Sequence, residues 1–213
     1  MVSETNSTEG VLNILEPAFL EAVMGQSTPT PEAENVLTIT LQLNIPLRPC
    51  APITKDIPDQ VSPWLMEPKE WPDFCESVFL TISGLQGARF TSGTMPLVES
   101  TRLQVGLTYE QEQALTFEED QALWVTGSYF GDAGVWDNDA KTLRLAVLRA
   151  LPANQRHRIA FRVFNPSEGQ DAPPISLSGE GIVITPQPVD TPAPDSEEAP
   201  LKVYPFAPGA RRR

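Results

Sequence analysis

The chain has 213 residues, 40% of them hydrophobic, which is enough for one large domain with a sizeable core. Its formal net charge of -13 and its pI near 4.4 argue against nucleic acid and anionic membranes as partners, because phosphate groups need a basic surface. No apolar run approaches the roughly 18–20 residues that span a bilayer, so we expect no direct membrane insertion.

The N-terminal stretch Met1–Gly10 is polar and acidic, which is unlike a secretory signal peptide. It contains a glycosylation sequon at Asn6. The following stretch, Val11–Met24, is open to two interpretations. Pro17 either begins a short helix or separates two β segments.

Strict alternation of apolar and polar residues predicts the first strand over Val36–Ile45. The same period over His157–Pro166 predicts a strand that Asn165-Pro166 ends, since proline cannot donate to a β ladder. Five further strands are predicted over or within Ser77–Ser83, Leu97–Leu107, Leu123–Val125, Thr142–Leu148 and Ile175–Thr185.

These segments predict an all-β fold, an antiparallel two-sheet β-sandwich of immunoglobulin-like type with about seven strands. We expect a tail and connector over residues 1–35, the sandwich over 36–185, and a proline-rich acidic linker with a basic tail over 186–213. The predicted core residues are Ile39, Leu41, Leu43, Phe79, Leu145, Val147, Ile159, Phe161 and Val163.

Two regions are predicted to lack regular structure because prolines are concentrated there. Seven of the 22 prolines lie over Pro46–Pro72 and seven more over Pro186–Pro208. Between the strands, the acidic stretch Thr108–Asp120 has room for one helical turn, since Thr108 and Gln111 have capping-box spacing.

Cys50 and Cys75 flank the first proline-rich region. We predict a disulfide between them, which would close that loop and indicate an oxidising compartment. The alternative is two buried free thiols.

Acidic residues in the turn-rich stretch 126–140 suggest a second kind of site. Asp132, Asp137 and Asp139 are weak candidates for calcium ligands, because carboxylate oxygens suit Ca²⁺. Their spacing does not match an EF-hand loop, and an Asp/Asn turn explains the residues equally well. We therefore predict no metal site and no cofactor.

Four tryptophans, Trp64, Trp71, Trp124 and Trp136, have flat rings of the kind that stack on sugars. More often a tryptophan in a β fold fills a core or packs under a loop. Trp136 is the candidate ligand aromatic, because aspartates surround it.

Enzymatic chemistry has little support in this sequence. His157 is the only histidine, and the chain has no G-x-S-x-G elbow, zinc motif or phosphate loop. We predict that the protein is not an enzyme and has no catalytic residues.

Over residues 17–185 the order of segments resembles the repeated modules of large extracellular proteins of algae and related protists. In those modules a strand is followed by an "I-S-G-L-x-G" turn, a "G-x-W" segment and an "F-x-x-x-N-P…Q-x-x-P" close. The matching segments are V-L-T-I-T-L-Q-L-N-I-P-L (Val36–Leu47), L-T-I-S-G-L-Q-G-A (Leu80–Ala88), F-G-D-A-G-V-W (Phe130–Trp136), L-R-L-A-V-L (Leu143–Leu148) and I-A-F-R-V-F-N-P…Q-D-A-P-P-I-S-L-S-G (Ile159–Gly179).

The resemblance implies a non-enzymatic structural or adhesive module, with a protein, a glycan or neighbouring modules as its partner. The chain would then be one period of a tandem array in an extracellular or cell-surface protein, which would explain the missing signal peptide. The alternatives are a carbohydrate-binding module and, if the two cysteines are free and Met1 is the true start, an intracellular (cytoplasmic) adaptor or interaction domain.

Overall fold

The computed structural model describes residues 16–49, 78–91, 93–102 and 114–205. Within these ranges the fold is all-β and antiparallel, with one short helix. The elements in chain order are β1 (Phe19–Gln26), β2 (Glu34–Leu43), β3 (Phe79–Ser83), β4 (Thr94–Arg102), α1 (Phe117–Ala122), β5 (Trp124–Thr126), β6 (Ala133–Asp137), β7 (Thr142–Ala146), β8 (His157–Phe164), β9 (Ser176–Glu180) and β10 (Ile184–Pro188). In the described part of the chain, no helix is long and apolar enough to cross a membrane.

The strands form one continuous hydrogen-bonded path in the order β1-β2-β8-β4-β6-β7-β3-β9-β10, with β5 paired to β4. Strand β4 joins the two halves of this path, because Thr94–Pro96 pair with β6 and Leu97–Thr101 pair with β8. The change of partner falls at Pro96, which has no backbone N–H to donate. The ends of the path meet where Val23 of β1 bridges Asp190.

The predicted two-sheet sandwich of about seven strands is therefore wrong in count and in arrangement, although the all-β antiparallel class is confirmed. The three extra strands have identifiable sources. β1 comes from the ambiguous N-terminal stretch and β6 from the turn-rich stretch. The predicted strand Ile175–Thr185 is two strands, β9 and β10, that turn at Gly181, whose φ is 77°.

One core lies inside this path, and the strands of both halves contribute to it. Eight of the nine predicted core residues are buried, and Phe79 is the exception. On β3, the inward positions belong to Leu80 and Ile82, which are fully buried. Phe79 is on the opposite face, where the Arg144 guanidinium lies 3.7 Å from the centre of its ring.

Strand pairing and buried side chains extend beyond the predicted sandwich bounds 36–185 on both sides. β1 pairs with β2 along its length, so residues 19–26 belong to the domain and are not a tail. Residues 189–204, here named the C-terminal strap, pack on the domain through buried side chains, and so this part of the predicted linker is folded. The buried strap residues are Val189, Ala199, Pro200, Leu201 and Val203.

Helix α1 begins later than the predicted capping box. Its N-cap is Thr116, whose hydroxyl accepts a hydrogen bond from the Glu119 amide, while the Glu119 carboxylate accepts one from the Thr116 amide. The acidic stretch thus does carry a capped turn of helix. The predicted pair Thr108 and Gln111 lies outside the described residues.

Candidate functional site

The predicted ligand aromatic, Trp136, is in the core. It is 5% exposed, because alternation along β6 turns Gly134 and Trp136 inward and Val135 outward. A sugar needs an accessible ring face, so the interpretation of Trp136 as a ligand aromatic is corrected to core packing. Trp124 is half-buried, and the Arg158 guanidinium lies 3.9 Å from its ring centre.

The acidic turn uses one of its carboxylates to hold its own backbone. Asp137 Oδ1 accepts hydrogen bonds from the amides of Asp139 and Ala140, each at 2.9 Å. This arrangement is the Asp turn that the sequence left open as an alternative to calcium. Among the described residues, no group of three acidic, histidine or cysteine side chains is placed to hold a metal.

Several sequence predictions lie outside the described residues and stay predictions. They are the disulfide between Cys50 and Cys75, the sequon at Asn6, and the packing of Trp64 and Trp71.

Glu99 of β4 is a buried carboxylate, 7% exposed, that was not predicted from the sequence. Its side chain accepts hydrogen bonds from the amides of Tyr129 (2.7 Å) and Phe130 (3.2 Å). These amides belong to the loop that connects β5 to β6, where β4 has no strand partner on this edge. Burial raises the pKa of Glu99, and its backbone hydrogen bonds oppose that shift.

His157 lies close to this carboxylate along the sheet, since it pairs with Thr101 of β4. The imidazole is 1% exposed, its Nδ1 lies 3.2 Å from Thr101 Oγ1, and the Tyr129 ring meets it edge-on with centroids 4.8 Å apart. Burial lowers the pKa of His157 to about 4, so the ring is neutral at physiological pH.

These buried polar groups brace the fold and are closed to a substrate, because Glu99, Thr101 and His157 are each more than nine-tenths buried. A signal for them was present in the sequence. The inward period of β4 runs through the odd-numbered positions, and that period places Glu99 and Thr101 inside.

The S-G-L-x-G turn and the N-P…Q-x-x-P segment pack against each other. Gly84 and Gly87 of the S-G-L-x-G turn both have positive φ, 86° and 80°. A Cβ on Gly84 would lie 2.2 Å from the Pro174 carbonyl oxygen, and one on Gly87 would lie 2.3 Å from Gln170 Oε1. Glycine is therefore required at position 84, where the contact is with backbone; at position 87 the positive φ and the present placement of the Gln170 side chain both favour it. We name the contact between this turn and the segment Asn165–Pro174 the motif joint.

Gln170 links the motif joint to the C-terminal strap. Its side-chain amide donates to the carbonyls of Gln86 (3.0 Å) and Leu201 (2.8 Å). Its backbone exchanges two hydrogen bonds of 2.9 Å with Val203.

Asn165, the asparagine of the N-P motif, is fully buried and connects two loops. Its side chain accepts from Asn35 Nδ2 (2.8 Å) and donates to the carbonyls of Thr28 and Thr30 (2.9 Å each). The motif residues therefore hold the domain together internally, and they are not presented to a ligand.

The described part of the chain begins, at Glu16, and ends, at Pro205, at opposite ends of the folded unit. Near the first end, the Asn44 side chain donates to the Glu16 carbonyl. At the other end, the Tyr204 amide donates to the Pro29 carbonyl. We name these ends the Asn44 pole and the Pro29 pole. Strand β1 runs from the first pole to the second, and β2, which pairs with it and returns, separates them by about 30 Å at the usual rise per residue.

A shallow depression of about 380 Å³ lies beside β1 on its outer face. Its lining includes Val23, Val36 and Thr38 of the first two strands and Pro192 and Glu198 of the strap. The depression follows the seam between β1 and the strap.

Comparisons with known proteins give little information on function. No family model matches the chain, and no curated protein matches it. Among solved structures, the RrgA Jo.In complex is similar over 78% of this chain and 75% of its own, with 10% identity and a TM-score of 0.36. A likeness at that level carries no argument about function.

Proposed function

We propose that this protein is a non-enzymatic structural or adhesive module of an extracellular or cell-surface protein, which links the segments on either side of it. The observation that carries the proposal is that the described residues begin at the Asn44 pole and end at the Pro29 pole. A module that receives its chain at one pole and releases it at the other extends a tandem array by its own length.

The use of the polar residues supports the same proposal. The side chains of Asn165 and Gln170 donate hydrogen bonds to loop and strap carbonyls. The Glu99 carboxylate accepts hydrogen bonds from amides of the β5–β6 loop. The neighbouring modules of the same chain, or a protein or glycan at the cell surface, are the partners that fit this role. Trp136 is buried in the core, so it is not accessible to a sugar. The carbohydrate-binding alternative would need Trp64 or Trp71 as its stacking ring.

The proposal can be tested with chains that contain one, two and three copies of the sequence, joined end to end. Small-angle X-ray scattering should give a maximum dimension that grows by a constant increment with each copy. The single copy is the reference for that increment. Copies that pack side by side, so that the maximum dimension hardly grows, would contradict the proposal.

A further inference from the structure

We propose that β1 and the C-terminal strap form a mechanical clamp, so that the module resists tension applied along its chain. This inference deepens the proposed linking role and depends on it for its biological meaning. It rests on the pairing of β1 with the strap and on the parallel direction of the two segments. It also rests on the start of β1 lying at the Asn44 pole and the end of the strap at the Pro29 pole.

The centre of the clamp is a pair of backbone hydrogen bonds between β1 and the start of the strap. The Met24 amide donates to the Asp190 carbonyl (2.9 Å), and the Asp190 amide donates to the Ala22 carbonyl (2.8 Å). The bridge that they form, Val23 to Asp190, is parallel.

Gln26, at the end of β1, continues the clamp toward the Pro29 pole. Its amide donates to the Glu198 carbonyl (3.1 Å), and its Nε2 donates to the carbonyls of Glu197 (2.9 Å) and Lys202 (3.0 Å). Its Oε1 accepts from the Leu201 amide (2.9 Å). One side chain therefore fastens three points of the strap.

The strap is also anchored by burial. Leu201 and Val203 are 0% and 2% exposed, so sliding the strap along β1 would pull both side chains out of the core. The two hydrogen bonds between Val203 and Gln170 add a second attachment at the far end of the strap.

The direction of the two segments decides how they respond to force. Contacts run in the same order along both, from Ala22 and Asp190 to Gln26 and Glu198, and on to Pro29 and Tyr204. Tension draws the start of β1 outward at the Asn44 pole and the end of the strap outward at the Pro29 pole. The two parallel segments must then slide past each other, which loads their hydrogen bonds together. Peeling a strand from one end breaks such bonds one at a time.

The first test compares two pulling directions on the unmodified sequence in single-molecule force spectroscopy. Handles at the two chain termini load the clamp in shear. Handles at the N-terminus and at Pro46, which follows β2 at the Asn44 pole, peel β1 from β2 instead. Because forced unfolding follows the unfolding rate, the end-to-end direction should need a several-fold higher force. Equal forces in the two directions would overturn the clamp.

The second test uses a matched pair of variants at Asp190, whose side chain is exposed. Asp190→Pro removes the amide that donates to Ala22, whereas Asp190→Ala keeps it. The end-to-end unfolding force should fall in Asp190→Pro and stay at the wild-type value in Asp190→Ala, and the peeling force should be the same in both. An unchanged end-to-end force in Asp190→Pro would contradict the assignment.

The outcomes for the clamp and for the linking role are separable. Tandem copies that extend in solution but unfold at equal force in both directions would overturn the clamp alone. A direction-dependent force in one copy, with tandem copies that collapse side by side, would overturn the linking role alone.

Discussion

The side chain of Gln170 occupies the space where a Cβ on Gly87 would stand, with Oε1 only 2.3 Å from that position. The two residues come from the S-G-L-x-G turn and from the N-P…Q-x-x-P segment. The turn must therefore leave room for the side-chain amide of Gln170. That amide in turn holds the carbonyls of Gln86 and Leu201.

Gly87→Ala should lower the free energy of unfolding by about 2–4 kcal/mol, because it strains a residue at positive φ and displaces Gln170 from its acceptors. Chemical denaturation gives the value. Gly93→Ala is the matched control, since a Cβ there meets nothing within 4 Å. In the double variant Gly87→Ala/Gln170→Ala, the loss of unfolding free energy should be smaller than the sum of the losses in the two single variants. Strict additivity would contradict the contact.

Phe161→Ala should cost about 3–5 kcal/mol of unfolding free energy, since the side chain is 1% exposed at the centre of β8. Val98→Ala is the control on the neighbouring strand, because Val98 is 71% exposed. A loss below about 1 kcal/mol for Phe161→Ala would mean that the inward face of β8 is misassigned.

Removing the acceptor at Glu99 should be costly as well. Glu99→Ala leaves the amides of Tyr129 and Phe130 without their acceptor and should lower the free energy of unfolding by about 2–4 kcal/mol. Glu99→Gln keeps an oxygen in place and should cost clearly less, and Glu118→Ala on the exposed side of α1 is the surface control. If both Glu99 variants were as stable as the parent, the carboxylate would not be what holds the loop.

His157 makes stability depend on pH, and the sign follows from its shift. Its folded pKa of about 4 is below its unfolded value of 6.5. As the pH falls below 6.5, the unfolded chain binds a proton that the folded chain excludes, so stability is lost from about pH 6.5 down to about pH 4. This shift in pKa corresponds to a loss of about 3 kcal/mol of unfolding free energy between neutral pH and about pH 4.

The test is the difference in unfolding free energy between the parent and His157→Gln, measured from pH 7 to pH 4. His157 is the only histidine, so this difference isolates its contribution from the carboxylates. It should change steadily over that range in favour of the variant. Glu99 works in the opposite direction in the parent and in the variant alike, since its raised pKa favours the folded state at low pH. A flat difference would contradict the buried neutral imidazole.

The disulfide prediction concerns residues that the structure does not describe, and it has its own test. Cys50 and Cys75 should resist thiol labelling in the unreduced, denatured protein and react after reduction. For a loop of that length the bond should add about 3–4 kcal/mol of stability. Two thiols that react before reduction would remove the argument for an oxidising compartment.

The sequence predicts the fold where one face of a strand is apolar and the other polar. β2 and β8 alternate strictly, and their inward residues were assigned correctly. On β3 both faces carry apolar residues, so the large ring of Phe79 was placed inside although Leu80 and Ile82 occupy the inward positions.

The strap could not be predicted from local pattern. Its proline content is typical of a linker, and what orders it is contact with distant residues, Gln26 and Gln170 among them. Glu99 was missed for a related reason. A carboxylate in a strand is usually expected to face outward. The amides that donate to Glu99 lie on a loop that only the fold brings near.

The distance between the Asn44 pole and the Pro29 pole is the most direct test of the proposed linking role. Spin labels at Glu16 and Tyr204, introduced as non-natural amino acids so that Cys50 and Cys75 stay intact, can be measured by double electron–electron resonance. Ten residues of β2 separate the two poles, which predicts a distance centred near 30 Å. A control pair at Glu16 and Asn154, both at the Asn44 pole, should give a clearly shorter distance. A Glu16–Tyr204 distance as short as that of the control pair would place both ends at one pole, and it would contradict the linking role and the clamp together.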